Sequence, residues 1–235
     1  MLGFTFRGIH TNAFPGLVVK TVNNPLLAAR RIKRISVPVR DGSYLFEDGF
    51  ENKFLEFRCF LAKGTIKERR IQARDIASWL NGTGDLVLDH EDDKTYKVVR
   101  TVSDVSLTVD QVVDEFNIAF ETEPYQTGRD LHTVSEDDPT TLTVTNNGNT
   151  DADTVISVTG TGDVTISCGT MSFMLKDMTD KLILDSKRLL VYTDSSTNGM
   201  SKHTGSFIKL TPGINTITVT GDVSNITVQF YDTYI

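Results

Sequence analysis

Along much of this chain apolar and polar residues alternate one for one. The clearest case is residues 210–230, LTPGINTITVTGDVSNITVQF. Pro212-Gly213 is a turn dipeptide, with Pro fixing φ and Gly accepting a positive φ. Beyond it Ile217 and Val219 fall on one strand face, and Thr216, Thr218 and Thr220 on the other. Gly221-Asp222 predicts a second turn, after which Ile226, Val228 and Phe230 line one face of another strand. The reading is a closing pair of strands joined by a tight turn. The same texture predicts strands over 140–146, 155–159, 164–168, 171–175, 182–184, 189–192 and 206–210. Asn147-Gly148, Gly160-Thr161-Gly162, Asp185-Ser186 and Asn198-Gly199 punctuate them. Many short strands with turns every eight to twelve residues predict a β-sandwich or jelly roll.

The first half reads differently. Strands are predicted over 17–22, 32–39 and 54–61, the last placing Leu55, Phe57, Cys59 and Leu61 on one face. Ala73, Ile76, Ala77 and Leu80 then recur at i, i+3, i+4, i+7 with Trp79 beside them, which predicts a helix over 71–81 ended by Asn81-Gly82. Trp79 is expected to pack in the core. Strands over 86–88, 96–102, 105–109 and 113–120 follow. A single helix covering an antiparallel sheet or barrel is an α+β arrangement. Residues 124–139 (PYQTGRDLHTVSEDDP) show Pro, Gly and charge without periodicity and read as a linker. The expected organisation is mainly β, with an α+β domain over 1–130 and a β-sandwich over 131–235.

Composition narrows the chemistry. With 31 acidic against 24 basic residues the net charge is −7, which disfavours a nucleic-acid partner. The basic residues concentrate between Lys20 and Arg74. In the run Arg30-Arg31-Ile32-Lys33-Arg34-Ile35, Arg31, Lys33 and Ile35 share one strand face and Arg30, Ile32 and Arg34 the other. A charged strand either prevents unwanted edge pairing or meets an acidic partner, such as acidic loops on a second copy in a ring. Cys59 and Cys168 both sit in apolar runs and are expected as buried reduced thiols. The opening MLGFTFRG lacks a signal-peptide pattern and no run reaches transmembrane length, so a chain made in a cytoplasm, without membrane insertion, is expected.

No set of catalytic acid, base or nucleophile emerges, and no enzyme is expected. His10, His90, His132 and His203 have no ligand-spaced neighbours, so no metal and no cofactor are expected. The acidic loops Asp89-His90-Glu91-Asp92-Asp93 and Asp151-Ala152-Asp153 offer oxygens for calcium, but neither follows an EF-hand spacing and both read first as solvated loops. Tyr192, Tyr231 and Tyr234 are the available platforms for a sugar on the sandwich. They leave open the alternative of a carbohydrate-binding module for host cell-wall or surface glycans.

Taken in order, several short motifs resemble the distal tail protein (Dit) family of long-tailed, non-contractile bacteriophages. Phe4-Thr5-Phe6-Arg7-Gly8 is similar to that family's opening strand, and Val37-Pro38-Val39-Arg40-Asp41-Gly42 to its early Pro-x-Arg-Asp-Gly turn, with Val39 where many members have glycine. Ile76-Ala77-Ser78-Trp79-Leu80 resembles its helix, and Phe120 to Tyr125 the ending of its N-terminal domain. Val144 to Ala152, Leu184-Asp185-Ser186 and Leu210-Thr211-Pro212-Gly213-Ile214-Asn215-Thr216-Ile217 are similar to later recurrent motifs. The resemblance implies a virion structural protein at the distal tip of the tail, assembled in the host cytoplasm. Its N-terminal domain would build a homohexameric, tail-tube-like ring, and its C-terminal domain would be a galectin-like sandwich projecting outward. The implied partners are the tail tube protein, the tape measure protein, the tail-tip protein and, in some phages, a receptor-binding protein, with DNA only as cargo passing through the ring. On this reading the inter-subunit contacts fall on Arg30, Arg31, Lys33, Arg34 and Arg40 and on Phe46, Phe50 and Phe54. Phe46, Phe50 and Phe54 read equally as ordinary core and turn residues.

Overall fold

Burial follows the predicted alternation: from Lys53 to Leu61 every second side chain is buried and faces a core. The computed structural model describes residues 2–102 and 113–235. The chain divides into two compact units, residues 1–126 with residue 235, and residues 127–234. Each has its own apolar core.

The first unit contains β1 (Phe4–Phe6), β2 (Ile9–His10), β3 (Leu17–Asn23), β4 (Arg30–Ile35), β5 (Tyr44–Phe50), β6 (Lys53–Leu61), the helix α1 (Ile66–Leu80), β7 (Gly84–Leu88), β8 (Glu91–Thr101) and β9 (Asp114–Gly128). The main sheet runs in the order β2-β1-β7-β8-β9-β6-β3, while β4 and β5 pair only with each other among these strands. Aromatic rings fill the core. Phe4 lies 4.5 Å from Phe57 and 5.5 Å from Trp79 between ring centroids. Trp79 packs there as expected, and its indole N–H donates to the Phe6 carbonyl at 3.0 Å. Burying the indole thus leaves no unpaired donor.

The helix starts at Ile66, five residues before the apolar periodicity begins. Thr65 and Glu68 form a capping box: the Glu68 N–H donates to Thr65 Oγ1 at 3.3 Å, and the Thr65 N–H donates to the Glu68 carboxylate at 2.7 Å. The first turn is too charged to show an apolar stripe. Ile76, Trp79 and Leu80 reach the core, whereas Ala77, expected there, is exposed. Arg69 is buried instead. Its Nε and Nη2 donate to the buried Asp114 carboxylate at 3.0 and 3.3 Å, and its Nη1 donates to the Gly64 carbonyl at 3.0 Å. This forked pair ties the first turns of α1 to the start of β9. The expected strand over 105–109 lies outside the described residues. The supposed linker 124–139 is mostly strand: β9 continues to Gly128, and a new strand begins at His132.

The second unit contains β10 (His132–Asp137), β11 (Thr141–Asn146), β12 (Ala152–Cys168), β13 (Met171–Met178), β14 (Lys181–Asp185), β15 (Leu190–Tyr192), β16 (His203–Gly205), β17 (Lys209–Leu210) and β18 (Gly213–Phe230). The predicted closing hairpin is a single 18-residue strand, β18, and the strands predicted over 155–159 and 164–168 are one strand, β12. Gly221-Asp222 is a bend within a strand. Here β12 and β18 shift register together between Thr159 and Thr165. Gly160 and Gly221 lie against partner backbone so closely that a Cβ would stand 2.3 Å from the Asp222 carbonyl and 2.5 Å from that of Asp163. Side chains are excluded there, and the paired strands bend as a ribbon.

Beyond the bend each strand joins a different wing. One wing runs β10-β18-β12-β14-β15 and uses residues 225–230 of β18; the other runs β11-β18-β12-β13-β16 and uses its residues 213–220. Ile156, Val158, Ile226 and Val228 of the first wing share one buried cluster with Ile166, Phe173, Ile217 and Leu142 of the second. Buried amides hold the turns. Asn215 donates through Nδ2 to the Thr211 and Gly213 carbonyls at 2.8 and 3.0 Å and accepts the Thr211 N–H at 3.0 Å, clamping the Pro212-Gly213 turn. Asn146 does the same for the Asn147-Gly148 turn, donating to the Thr150 carbonyl and accepting the Gly148 N–H, both at 2.9 Å.

The Arg69–Asp114 pair gives the first prediction. Asp114→Ala takes the carboxylate away from a buried guanidinium and should destabilise the chain by about 3–5 kcal/mol in urea unfolding. Arg69→Met combined with Asp114→Leu should recover most of that loss. A cost below ~1 kcal/mol for Asp114→Ala would show that the pair is solvated.

Candidate functional site: an exposed two-stranded arm

Between β3 and β6 the chain leaves the main sheet and returns. Residues 30–50 form β4, a turn and β5. All six residues of β4 are exposed, and so are all of β5 except the half-buried Phe50. Cross-strand partners project to the same side of a ribbon. Ile32 faces Glu47 and Arg34 faces Leu45 on one side, while Lys33 faces Phe46 and Ile35 faces Tyr44 on the other. Both sides therefore mix cations with large apolar groups, and neither side is covered by β4 or β5 themselves. A segment that alternated for its own benefit would bury one side.

The cations are organised. Arg30 forms an ion pair with Glu47, and its guanidinium stands 5.0 Å from the Phe50 ring centre. Arg31 Nε donates to the Asp48 carbonyl at 2.8 Å. Arg40 caps the Tyr44 ring at 4.3 Å. Among the described residues Lys33 and Arg34 have no carboxylate partner. The structure thus places Arg30, Arg31, Lys33, Arg34, Phe46 and Phe50 on the arm and Arg40 in its turn. Phe54 lies apart, exposed on β6 opposite Glu121. The predicted strand 32–39 stops at Ile35 because Val37–Arg40 is the turn, with the Arg40 N–H donating to the Val37 carbonyl at 3.2 Å. Sequence reasoning passed over Tyr44, Leu45 and the exposed pair Leu26-Leu27 at the arm's start. The available signal was apolar residues on both faces of one strand pair.

The root of the arm is polar and closed. Ala28 is buried, and the Glu51 N–H donates to the Ala29 carbonyl at 2.7 Å. Asn24 Nδ2 donates to Tyr96 Oη at 2.6 Å and Gln126 Nε2 donates to it at 3.0 Å, while the Tyr96 hydroxyl donates to Glu91. Burial, with Glu91 beside it, raises the Tyr96 pKa. Lys53, the first residue of β6, is only 2 % exposed, and its Nζ has no hydrogen-bond partner among the described residues. The facing Thr122 hydroxyl is also without one. Burial holds the Lys53 pKa below the usual lysine value, with the Glu91 charge opposing that shift.

The other candidates do not assemble into a site. Glu91 is engaged by Tyr96, Asp93 pairs with Lys94, and Asp153 pairs with Lys209 at 2.9 Å. Among the described residues no three His, Cys, Asp or Glu side chains gather as metal ligands would. His10 contacts Asp89 and His132 contacts Asp232, each at 2.9 Å, and His203 stacks on Phe207. Cys59 and Cys168 are free and buried, one in each core, and burial pushes the Cys59 thiol up to about 12. Tyr231 is exposed, while Tyr192 and Tyr234 are half-buried. Among the described residues no helix is long and apolar enough to cross a membrane.

No protein-family model matches the chain, and no curated protein does. Its fold is that of SPP1 Dit (gp 19.1), whose crystal structure is described as a paradigm of the hub adsorption apparatus in phages infecting Gram-positive bacteria. The two chains superpose with a TM-score of 0.79 over 100 % of each at 13 % identity. A chain of the activated phage P2 baseplate is more distant, with a TM-score of 0.48 at 5 % identity over 100 % of this chain and 98 % of that one.

Lys53 supplies the second prediction. Lys53→Met removes a buried unpaired ammonium and should stabilise the chain by about 1–3 kcal/mol at pH 7. A lysine with a lowered folded pKa lets the unfolded state bind more protons, so wild-type stability rises with pH between the folded pKa and the ordinary value near 10.4. The advantage of Lys53→Met should therefore shrink as pH approaches 10.4 and persist below the folded pKa. An advantage independent of pH would attribute the effect to packing.

Proposed function

We propose that this chain is a structural hub of a bacteriophage tail, a distal tail protein, and that it works by assembly. The observation carrying this reading is the SPP1 Dit fold over the whole of both chains. In this account six copies close into a ring that joins the tail tube to the tail tip and its host-recognition proteins. A ring requires a head-to-tail contact in which two different patches of one subunit meet on neighbours. The arm suits one of those patches. It is cationic and apolar, with five basic against three acidic residues over 30–50, while the whole chain carries −7. Acidic surface on a second copy therefore complements it.

The first unit is the ring builder, and the second is a galectin-like module that meets other tail components. The partners of this reading are the tail tube, tape measure and tail-tip proteins and a receptor-binding protein, with DNA passing through the ring as cargo. Its location is the distal tip of the virion tail after assembly in the host cytoplasm. The role needs no catalysis and no cofactor. No observation favours a glycan-binding module over the hub.

Mass measurement of the purified chain with negative-stain imaging tests the reading. Six-fold rings are expected, and a strict monomer retained on a glycan column would contradict them. Arg31→Glu combined with Lys33→Glu should reduce ring formation at least tenfold without altering the melting temperature, since both residues are exposed. Unchanged assembly in that double variant would remove the basic strip from the interface.

A further inference from the structure

The outermost part of the arm carries a conformational oddity. In Val37-Pro38-Val39-Arg40 the Arg40 N–H closes on the Val37 carbonyl, and Val39 has φ +68°. Pro followed by a residue of positive φ is the pattern of a type II turn, whose third position ordinarily takes glycine or asparagine. A β-branched residue is the least suited to it, because its Cβ crowds the neighbouring carbonyl at a cost of roughly 1–2 kcal/mol. A flip of the Pro38–Val39 peptide would give a type I turn with negative φ and no such cost.

Nothing within the arm repays this cost. Val39 has a relative exposure of 110 %, so its side chain touches less of the chain than it would in an extended peptide. What the turn achieves is placement: it sets an isopropyl group at the free end of a ribbon, clear of every other side chain. Glycine would relax the turn and leave nothing to present.

We propose that Val39 is a contact knob, seated in an apolar pocket of a second copy of this chain when the arm docks. The strained turn is kept because burial of the side chain on the neighbour offsets it. The inference rests on the ring reading and adds to it which residue makes the contact. A second copy is the occupant because the ribbon behind the knob is cationic, with Lys33 and Arg34 unpaired by carboxylates among the described residues, and a chain of net charge −7 presents the opposite sign.

A dilution series of the intact chain, followed by sedimentation, tests this with three variants. Val39→Ile keeps the knob and should assemble within about twofold of wild type. Val39→Ala keeps the strained backbone and loses the knob, and Val39→Gly loses both. Each should move the assembly midpoint at least tenfold to higher concentration, with melting temperatures no lower than that of wild type. A role for strain alone predicts the reverse order, with Val39→Ala like wild type and Val39→Gly different. Rings that form equally well with alanine or glycine at this position overturn the knob and leave the ring reading standing. A wild-type chain that stays monomeric throughout overturns the ring reading, and the knob falls with it.

Discussion

A two-stranded ribbon has two faces and no interior. In water such a ribbon is marginal by itself, because its backbone hydrogen bonds stay accessible and its side chains bury little area. The segment between β3 and β6 lives under that constraint. It carries Ile32, Ile35, Tyr44, Leu45 and Phe46, enough apolar surface for a small core, yet distributes it over both sides. What order the arm has comes from ladder bonds, from Arg30 against Glu47 and Phe50, from Arg40 over Tyr44, and from the Ala29–Glu51 closure at its root. The aromatic core around Trp79 and Phe57 and the Arg69–Asp114 fork complete a sheet-and-helix body from which the arm leaves between Asn24 and Lys53.

The root shows how such an excursion is accommodated. Asn24, Tyr96, Glu91 and Gln126 form a connected polar node where strands would otherwise meet through apolar side chains. Lys53 enters this node with its ammonium unpaired among the described residues, a cost that a core built for stability alone would avoid. Local instability concentrated at the base of a projecting element, with rigid sheet on either side, is the arrangement expected where an element must adjust on docking.

Much of the fold was legible in the sequence because periodicity reports burial. The alternation in β6, β11, β12 and β18 gave their inward faces, and Trp79 reads as core from its helical spacing. What was missed depends on geometry that periodicity does not carry. Gly221-Asp222 looks like a hairpin turn, but a strand that bends into another wing uses the same glycine, and only its close approach to the Asp163 backbone of β12 separates the two. The first turns of α1 were hidden by their charge, although Thr65-x-x-Glu68 announced the cap. The segment 124–139 looked unstructured because Pro124, Gly128 and Pro139 punctuate it and the exposed end of β10, Glu136-Asp137, is charged. At the arm, the basic residues were visible, but their isolation was not: β5 went unrecognised because Tyr44, Leu45 and Phe46 are consecutive and all exposed. That breakdown of alternation is itself the signature of a ribbon with no core of its own.

Hydrogen exchange at the backbone amides of the arm tests most directly whether it is a docking element. In dilute chain the amides of β4 and β5 should exchange far faster than those of β6 and β9, and at concentrations where the chain assembles they should slow by at least tenfold while the core strands change little. Arm amides that exchange at the same rate in dilute and assembled chain would contradict it.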